Sequence, residues 1–491
     1  MSHPADLLLR NARRYGGGAP IDILLSEGRI AAISPAGRGV TEGEQLDLEG
    51  RYVGPGLWDA HVHFSQWVVQ RRRVDLARTR SAADVLHEID RALATDAPRT
   101  GGVLIGYGYR DGLWPEPATL SALEAAVAHV PVVMINGDLH SAWMNTLAAR
   151  RLGLTLDATG VVSEGEWIGA LSVLQEIDEL PVESFRAEAE AAARRGVVGV
   201  VEYENSPNLT EWPNRVASGV DSLRVDVAVW PDRLEEAIAA GHRTGDSVDP
   251  SGLITMGRLK VVVDGSLNTR TAYCWDAYPG VDPASVHACG VLSVPIDELR
   301  RLLVRARDNG IEAAVHAIGD HANSDVLDTF AELGARGIIE HAQLVSERDF
   351  ARFAELGMIA SVQPEHAMDD RDVADRYWAG RTDRAFAFGS LHAAGAALRL
   401  GSDAPVAPLD PWHAIASATS RSRDEREAWH PEQVLPLDIA LAASARSTLD
   451  VHEVADLVIS DADPHALGRD DLRAMPVAAT LLGGRFTWRA L

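Results

Sequence analysis

Cysteine is almost absent. Cys274 and Cys289 are the only two in 491 residues, so no disulfide framework organises the chain. Long apolar runs are missing too, and no stretch of about eighteen such residues exists to span a bilayer. The first residues, MSHPADLLLRNARR, carry no charged segment followed by a long apolar one, so no secretory signal is evident. Positive charge is scarce: 46 Lys and Arg face 71 Asp and Glu, a formal net charge of −25. That balance disfavours nucleic acid or an anionic membrane as partner and suits a solvated acidic surface. The expectation is a soluble, cytoplasmic protein acting on a small molecule.

What is present is a globular composition, 46% hydrophobic and 24% charged, in a chain long enough for a large core. No short-period repeat or low-complexity tract appears. Residues 1–53 read as short strands and turns, and so does the other end, from Ala455-Asp456-Leu457-Val458-Ile459 to Trp488. The two ends, 1–54 and 447–491, are expected to pair into a composite β-sandwich.

Between them, strands alternate with helices. Eight strand-like runs stand out: Leu57–His63, Val197–Tyr203, Leu223–Val229, Arg258–Val263, Glu312–His316, Gly337–His341, Met358–Gln363 and Ala397–Ser402. Helical spacing follows several of them, as in Ile296–Asn309 and Ser346–Leu356. The reading is an α/β fold, a (β/α)8 barrel of the TIM type over 55–446. More than a hundred residues separate the first two runs, so an insertion at about 70–182 is expected over the barrel mouth.

Barrel active sites gather at the C-terminal ends of the strands. The first run ends in His61 and His63, with Asp59 one step behind on the same face of an extended strand. The fifth ends in His316, the sixth in His341, and the eighth leads to Asp403. One such histidine is ordinarily structural; four and an aspartate, all at strand ends, point to a divalent metal, one or two ions per chain. The nitrogen and oxygen donors suit Zn²⁺, with Mn²⁺, Fe²⁺, Ni²⁺ and Co²⁺ as alternatives. Lys260 lies inside an apolar run, where an unpaired ammonium is costly. It requires a partner, such as Asp264 or Asp403, or a change of charge.

These motifs resemble the amidohydrolase superfamily, specifically its family-3 branch, whose YtcJ-like members include N-substituted formamide deformylases. The pieces that carry the resemblance are PGLWDAHVHF at 55–64, LKVVVDGSLNTRTA at 259–272, HAIGDHAN at 316–323, IEHAQLV at 339–345, SVQPEH at 361–366 and LGSDAPVAPLDPW at 400–412. GYGYRDGLWP at 106–115, PVVMINGDLHSAWMN at 131–145 and EVADLVISDADP at 453–464 extend it over essentially the whole chain. Asn268-Thr269 departs from the usual Gly-Ser, and the Pro-Gly-Lys turn before the closing motif is missing.

The resemblance implies a metal-dependent hydrolase of non-peptide C–N bonds, in amides, N-formyl groups or cyclic amides, and a homodimer. His61 and His63 would hold the more buried ion, His316 and His341 the second. Asp403 would bind the first ion and act as acid and base. Lys260 falls where relatives carry a bridging lysine carboxylated by CO₂. Alternatives are a metal-dependent isomerase or an ester or lactone hydrolase on the same cage, or a non-catalytic scaffold. Lower in the order stand substrate contacts: Arg270 as an anion or carbonyl grip, His366 after the seventh run, and His140 and Trp114, with Trp143 and Tyr109, as a lid from the insertion. His321 reads as structural. Trp58, Trp67, Trp230 and Trp275 near strand ends would suit an apolar or aromatic substrate.

Overall fold

The computed structural model describes all residues except 1–5, 41, 96, 98, 110, 112–113, 137–140, 164–165, 168–169, 171–179 and 283. The chain divides into two compact units, one of Met1–Phe64 with Arg186–Leu491 and one of Ser65–Phe185.

The first unit is built on eight parallel strands: β1 (Leu57–Val62), β2 (Val197–Glu202), β3 (Arg224–Val229), β4 (Ile254–Val262), β5 (Ala313–Ala317), β6 (Gly337–His341), β7 (Ile359–Val362) and β8 (Ala397–Leu400). They hydrogen-bond in chain order, each parallel to the next. Beyond the end of β8 the chain meets β1 again. Asp403 N–H donates to His61 O at 2.7 Å, His63 N–H donates to Ala404 O at 2.8 Å, and Val62 bridges Ala404 in parallel. The expected (β/α)8 barrel is thus present, closed at the strand ends that carry the histidines. β4 starts four residues before its expected Arg258, because Gly257 breaks the run of β-forming side chains and the pairing with β3 shifts register between Met256 and Leu259.

The strands are near-continuous runs of Val, Ile and Ala, as expected where helices cover the outside of a parallel sheet. The helix Ile296–Arg307 shows why: Leu299, Leu303 and Ala306 are buried on one stripe, with Asp297 and Glu298 in its first turn and Arg305 and Arg307 in its last.

Both chain ends contribute to a further sheet. Strand Tyr52–Pro55 pairs antiparallel with Leu457–Ser460, Val53 opposite Ile459. Leu9, Ile23 and Val53 share a core with Leu457, Ile459 and Leu481.

The second unit carries a five-stranded sheet in the order Val161–Ser163, Ser141–Met144, Val132–Asn136, Leu104–Tyr109, Val74–Asp75. Three of its helices start at side-chain caps from Ser81, Thr119 and Asn145. Among the described residues no helix is long and apolar enough to cross a membrane.

Candidate metal centre

β1 ends in the sequence that sets the site. His61 and His63, two residues apart, both turn toward Asp403, which the chain reversal after β8 delivers. Asp59 fixes that junction. Its Oδ1 accepts the backbone N–H of His61 at 3.1 Å and of Ser402 at 2.8 Å. Gly401 is needed there, since a Cβ on it would lie 2.7 Å from His61 N and 2.9 Å from His61 Cβ. Asp403 and His341 both adopt left-handed backbone, with φ of 57° and 74°, the kind of local strain found at functional sites.

His61 Nδ1 lies 2.6 Å from Glu340 Oε2, and the Tyr203 hydroxyl donates to Glu340 Oε1 at 2.7 Å. All three side chains are buried. The carboxylate therefore accepts a hydrogen bond from the Nδ1–H of His61 and leaves its Nε2 lone pair free, 3.5 Å from Asp403 Oδ1. Glu340 had no role in the sequence reading. The signal was available, because a carboxylate inside the apolar run Gly337-Ile338-Ile339 is as costly as the lysine that was noticed in β4.

Lys260 is buried, and its Nζ has no hydrogen-bond partner. It stands 4.3 Å from the centroid of the Tyr203 ring, so neither expected salt bridge, to Asp264 or to Asp403, forms. Asp264 is engaged elsewhere: its carboxylate accepts the backbone N–H groups of Ile318, Gly319 and Tyr273 at 2.9–3.0 Å. Burial lowers the Lys260 amine from its usual range, against the raising pull of Glu340 and Asp403.

Around Asp403 the donors are spaced for something between them. His63 Nε2 is 3.6 Å from Oδ1, and His366 Nε2 is 3.8 Å from Oδ2. These separations are long for hydrogen bonds. They approach the roughly 3.3 Å edge of a tetrahedron of ligands at ~2.0–2.1 Å from an ion. One ligand atom each from His61, His63 and Asp403, and one each from His341, His366 and Asp403, fall within 4.8 Å of one another. His316 Nε2 instead faces Gly265 O at 3.4 Å and Asp264 Oδ1 at 3.5 Å, which leaves its Nδ1 for the cluster. Its ring centroid is 4.4 Å from that of His341.

Burial keeps the imidazoles neutral, which is the state a ligand needs. It lowers His63 to about 4, His316 to about 3 and His366 to about 4, with Lys260 adding to the effect on the first two. His61 and His341 are also pushed well below the usual value. Burial raises Asp403 to about 7, with Lys260 pulling the other way. The donor set, and the buried Nε2 of His366 without a hydrogen-bond partner beside Asp403, fit a divalent ion.

Arg270 is exposed and stacks 5.4 Å from the centroid of the Tyr377 ring. Trp114 packs beside Tyr109 and Trp143 in the core of the second unit. His140 lies outside the described residues. His321 is sandwiched between Tyr273 and Trp275, with centroids 4.2 and 3.4 Å away. His366, expected to touch substrate, lies beside Asp403 and His341.

Comparison with known proteins agrees with this geometry. The chain is 28% identical to Protein LONG AFTER FAR-RED 3 of Arabidopsis thaliana, over 98% of this chain and 91% of that protein. It is 23% identical to the N-substituted formamide deformylase of Arthrobacter pascens, over 94% of each. An uncharacterized metal-dependent hydrolase from Pyrococcus horikoshii superposes with a TM-score of 0.79 at 26% identity, covering 95% of this chain and 99% of that one. A family model matches residues 44–488, and the chain belongs to the amidohydrolase family.

Proposed function

We propose that this protein is a metal-dependent hydrolase that cleaves a non-peptide C–N bond of a small molecule: an amide, an N-formyl group or a cyclic amide. The observation that carries the proposal is the placement of Asp403, whose Oδ1 faces His61 and His63 at 3.5 and 3.6 Å while the carboxyl stays largely buried. Family membership and the likeness to a formamide deformylase support the choice of bond.

His61, His63 and Asp403 would hold the first ion, with Zn²⁺ the best match to the donors. A divalent ion supplies a Lewis acid and brings the pKa of a water from about 15.7 to about 7. Asp403 takes the proton of the attacking water and hands it to the departing amine, so its carboxyl is base first and acid second. Glu340 holds His61 in register throughout. Lys260, buried and without a hydrogen-bond partner, is suited to add CO₂ at Nζ with loss of a proton. The resulting carbamate replaces an awkward buried amine with an anionic donor beside His316 and His341. The working unit is taken to be a homodimer in the cytoplasm.

The test is turnover of a panel of formamides, cyclic amides, carbamates and lactones by metal-loaded protein. Amide or formamide cleavage is expected. Asp403→Asn should lower it by about 10²–10⁴-fold while leaving the melting temperature within a few degrees. Turnover of lactones alone would move the function to ester chemistry, and an Asp403→Asn variant of full activity would remove its role.

A further inference from the structure

We propose that a cavity at the N-terminal end of the barrel, away from the metal centre, binds a small organic anion: a carboxylate or a phosphate with an apolar body. The inference is independent of the function proposed above. The cavity has a volume of about 550 Å³, within the range of small-molecule sites. Three parts of the chain wall it. Trp58 near the start of β1, Arg224 at the start of β3 and Leu253 just before β4 come from the barrel. Glu27-Gly28-Arg29 and Gly483 with Arg485 are the tips of two hairpins in the terminal sheet. Arg446 and Asp456 belong to the stretch that joins the last barrel helix to that sheet. The two tips are tied side by side, since Ala455 N–H donates to Gly28 O and Gly484 N–H donates to Ala455 O, each at 2.8 Å.

The charge of the lining is opposite to that of the chain. Against a net charge of −25, the cavity presents the guanidinium groups of Arg29, Arg224, Arg446 and Arg485 and only two carboxylates, Glu27 and Asp456. Two of the arginines are matched. Arg224 grips the buried Asp456 through Nε at 2.7 Å and Nη2 at 3.1 Å. Arg446 pairs with Asp226 and lies 3.7 Å from the centroid of the Trp58 ring. The other two are not. Among the described residues the Arg29 side chain has a single partner, the carbonyl of His452 at 2.8 Å. Arg485 donates to the carbonyl of Asp221 and stands 3.5 Å from its carboxylate. Glu27 is exposed, so water screens its charge. Positive charge extends inward as well: burial, then Arg446 and Arg258, lower the Arg399 guanidinium. Guanidinium forks fit the paired oxygens of a carboxylate or phosphate, and Leu253, Val454 and Leu482 offer apolar surface beside them. An occupant touches the terminal sheet and β1 at once, so its binding opposes their separation.

The experiment is calorimetric titration of metal-loaded protein with phenyl phosphate and with benzoate at constant ionic strength, beside thermal melts. One equivalent of at least one probe should bind per chain. The melting temperature should rise with its concentration, as for any ligand of the folded state alone. Arg29→Gln and Arg485→Gln, checked by circular dichroism, should each weaken binding about tenfold or more, the loss of one charged hydrogen bond. Arg301→Gln, at an exposed arginine of another helix, should leave it unchanged. The tighter probe identifies the head group as phosphate or carboxylate. Unchanged affinity in either cavity variant would overturn the proposal. So would binding that His63→Ala abolishes and the cavity variants keep, which would place the anion at the metal centre. Uptake of neither probe would overturn it too.

Discussion

Glu340 shows how a single side chain outside the ligand set can govern the site. It accepts from His61 Nδ1 and from Tyr203 inside the barrel, which fixes one imidazole's tautomer and orientation. Partners of this kind are worth about 10–100-fold in metal affinity. Glu340→Gln keeps the shape and loses the charge, so Zn²⁺ affinity measured by chelator competition should fall by that factor. An unchanged affinity would make Glu340 a filler of the barrel interior. A pH dependence belongs at this scale too. His63 and His366 lie near 4 and His316 near 3 because burial disfavours their charged forms. An imidazole with a lowered pKa stays neutral as the pH falls, until its own lowered value is reached. Zn²⁺ uptake in equilibrium dialysis should therefore persist through pH 6.5, where free histidines protonate, and fail near pH 4. A midpoint at 6.5 would mean that the ligands are more exposed in solution. Strand-end position was enough to find His61, His63, His316, His341 and Asp403 in the sequence. It could not show which nitrogen each would offer, or that His366 would reach Asp403 from the next helix, because both depend on pairings between distant elements.

At the scale of elements, the barrel was legible because buried parallel strands are apolar on both faces and leave unbroken Val and Ile runs. All eight runs are strands, and the errors sit at their ends, as in β4, where a bulge at Gly257 and Arg258 separates Ile254–Met256 from the rest of the strand. The second unit was harder. Its strands Val74–Asp75 and Val161–Ser163 span two and three residues, too few for any period to show. Closure of the barrel was expected from the eight repeats, but its dependence on Gly401 letting the ends of β8 and β1 approach was not. A Cβ at that position would meet backbone and Cβ atoms of His61 below 3 Å and Asp59 Oδ1 at 3.2 Å. None of these can rotate away. Gly401→Ala should cost about 1–3 kcal/mol, the usual range for overpacking, and displace His61 enough to weaken Zn²⁺ binding. Gly468→Ala, where nothing lies within 4 Å, is the control. Equal melting temperatures and metal content for the two variants would show that the junction yields without strain.

At the scale of the whole molecule, the two ends of the chain are structurally one piece with the barrel. Leu457, Ile459 and Leu481 fill the core under Leu9, Ile23 and Val53, and burying three such side chains is worth about 5–9 kcal/mol. The same C-terminal stretch reaches the barrel directly. Thr480 Oγ1 donates to Ala193 O at 2.7 Å, and Arg195 donates to the carbonyls of Arg473 and Met475 at 2.8 Å. Arg473 Nη2 pairs with the buried Glu365 at 2.7 Å, beside His366. A domain has only about 5–15 kcal/mol of net stability, and the apolar loss alone consumes much of it. Removing residues 457–491 should therefore unfold the barrel along with the terminal sheet, although every expected metal ligand remains in the chain. The measurement is soluble yield, near-ultraviolet circular dichroism and Zn²⁺ content of the shortened protein beside the full chain. A shortened chain that stays soluble, keeps its near-ultraviolet spectrum and binds Zn²⁺ would show that the barrel stands alone, and that the terminal sheet must be explained by something other than stability.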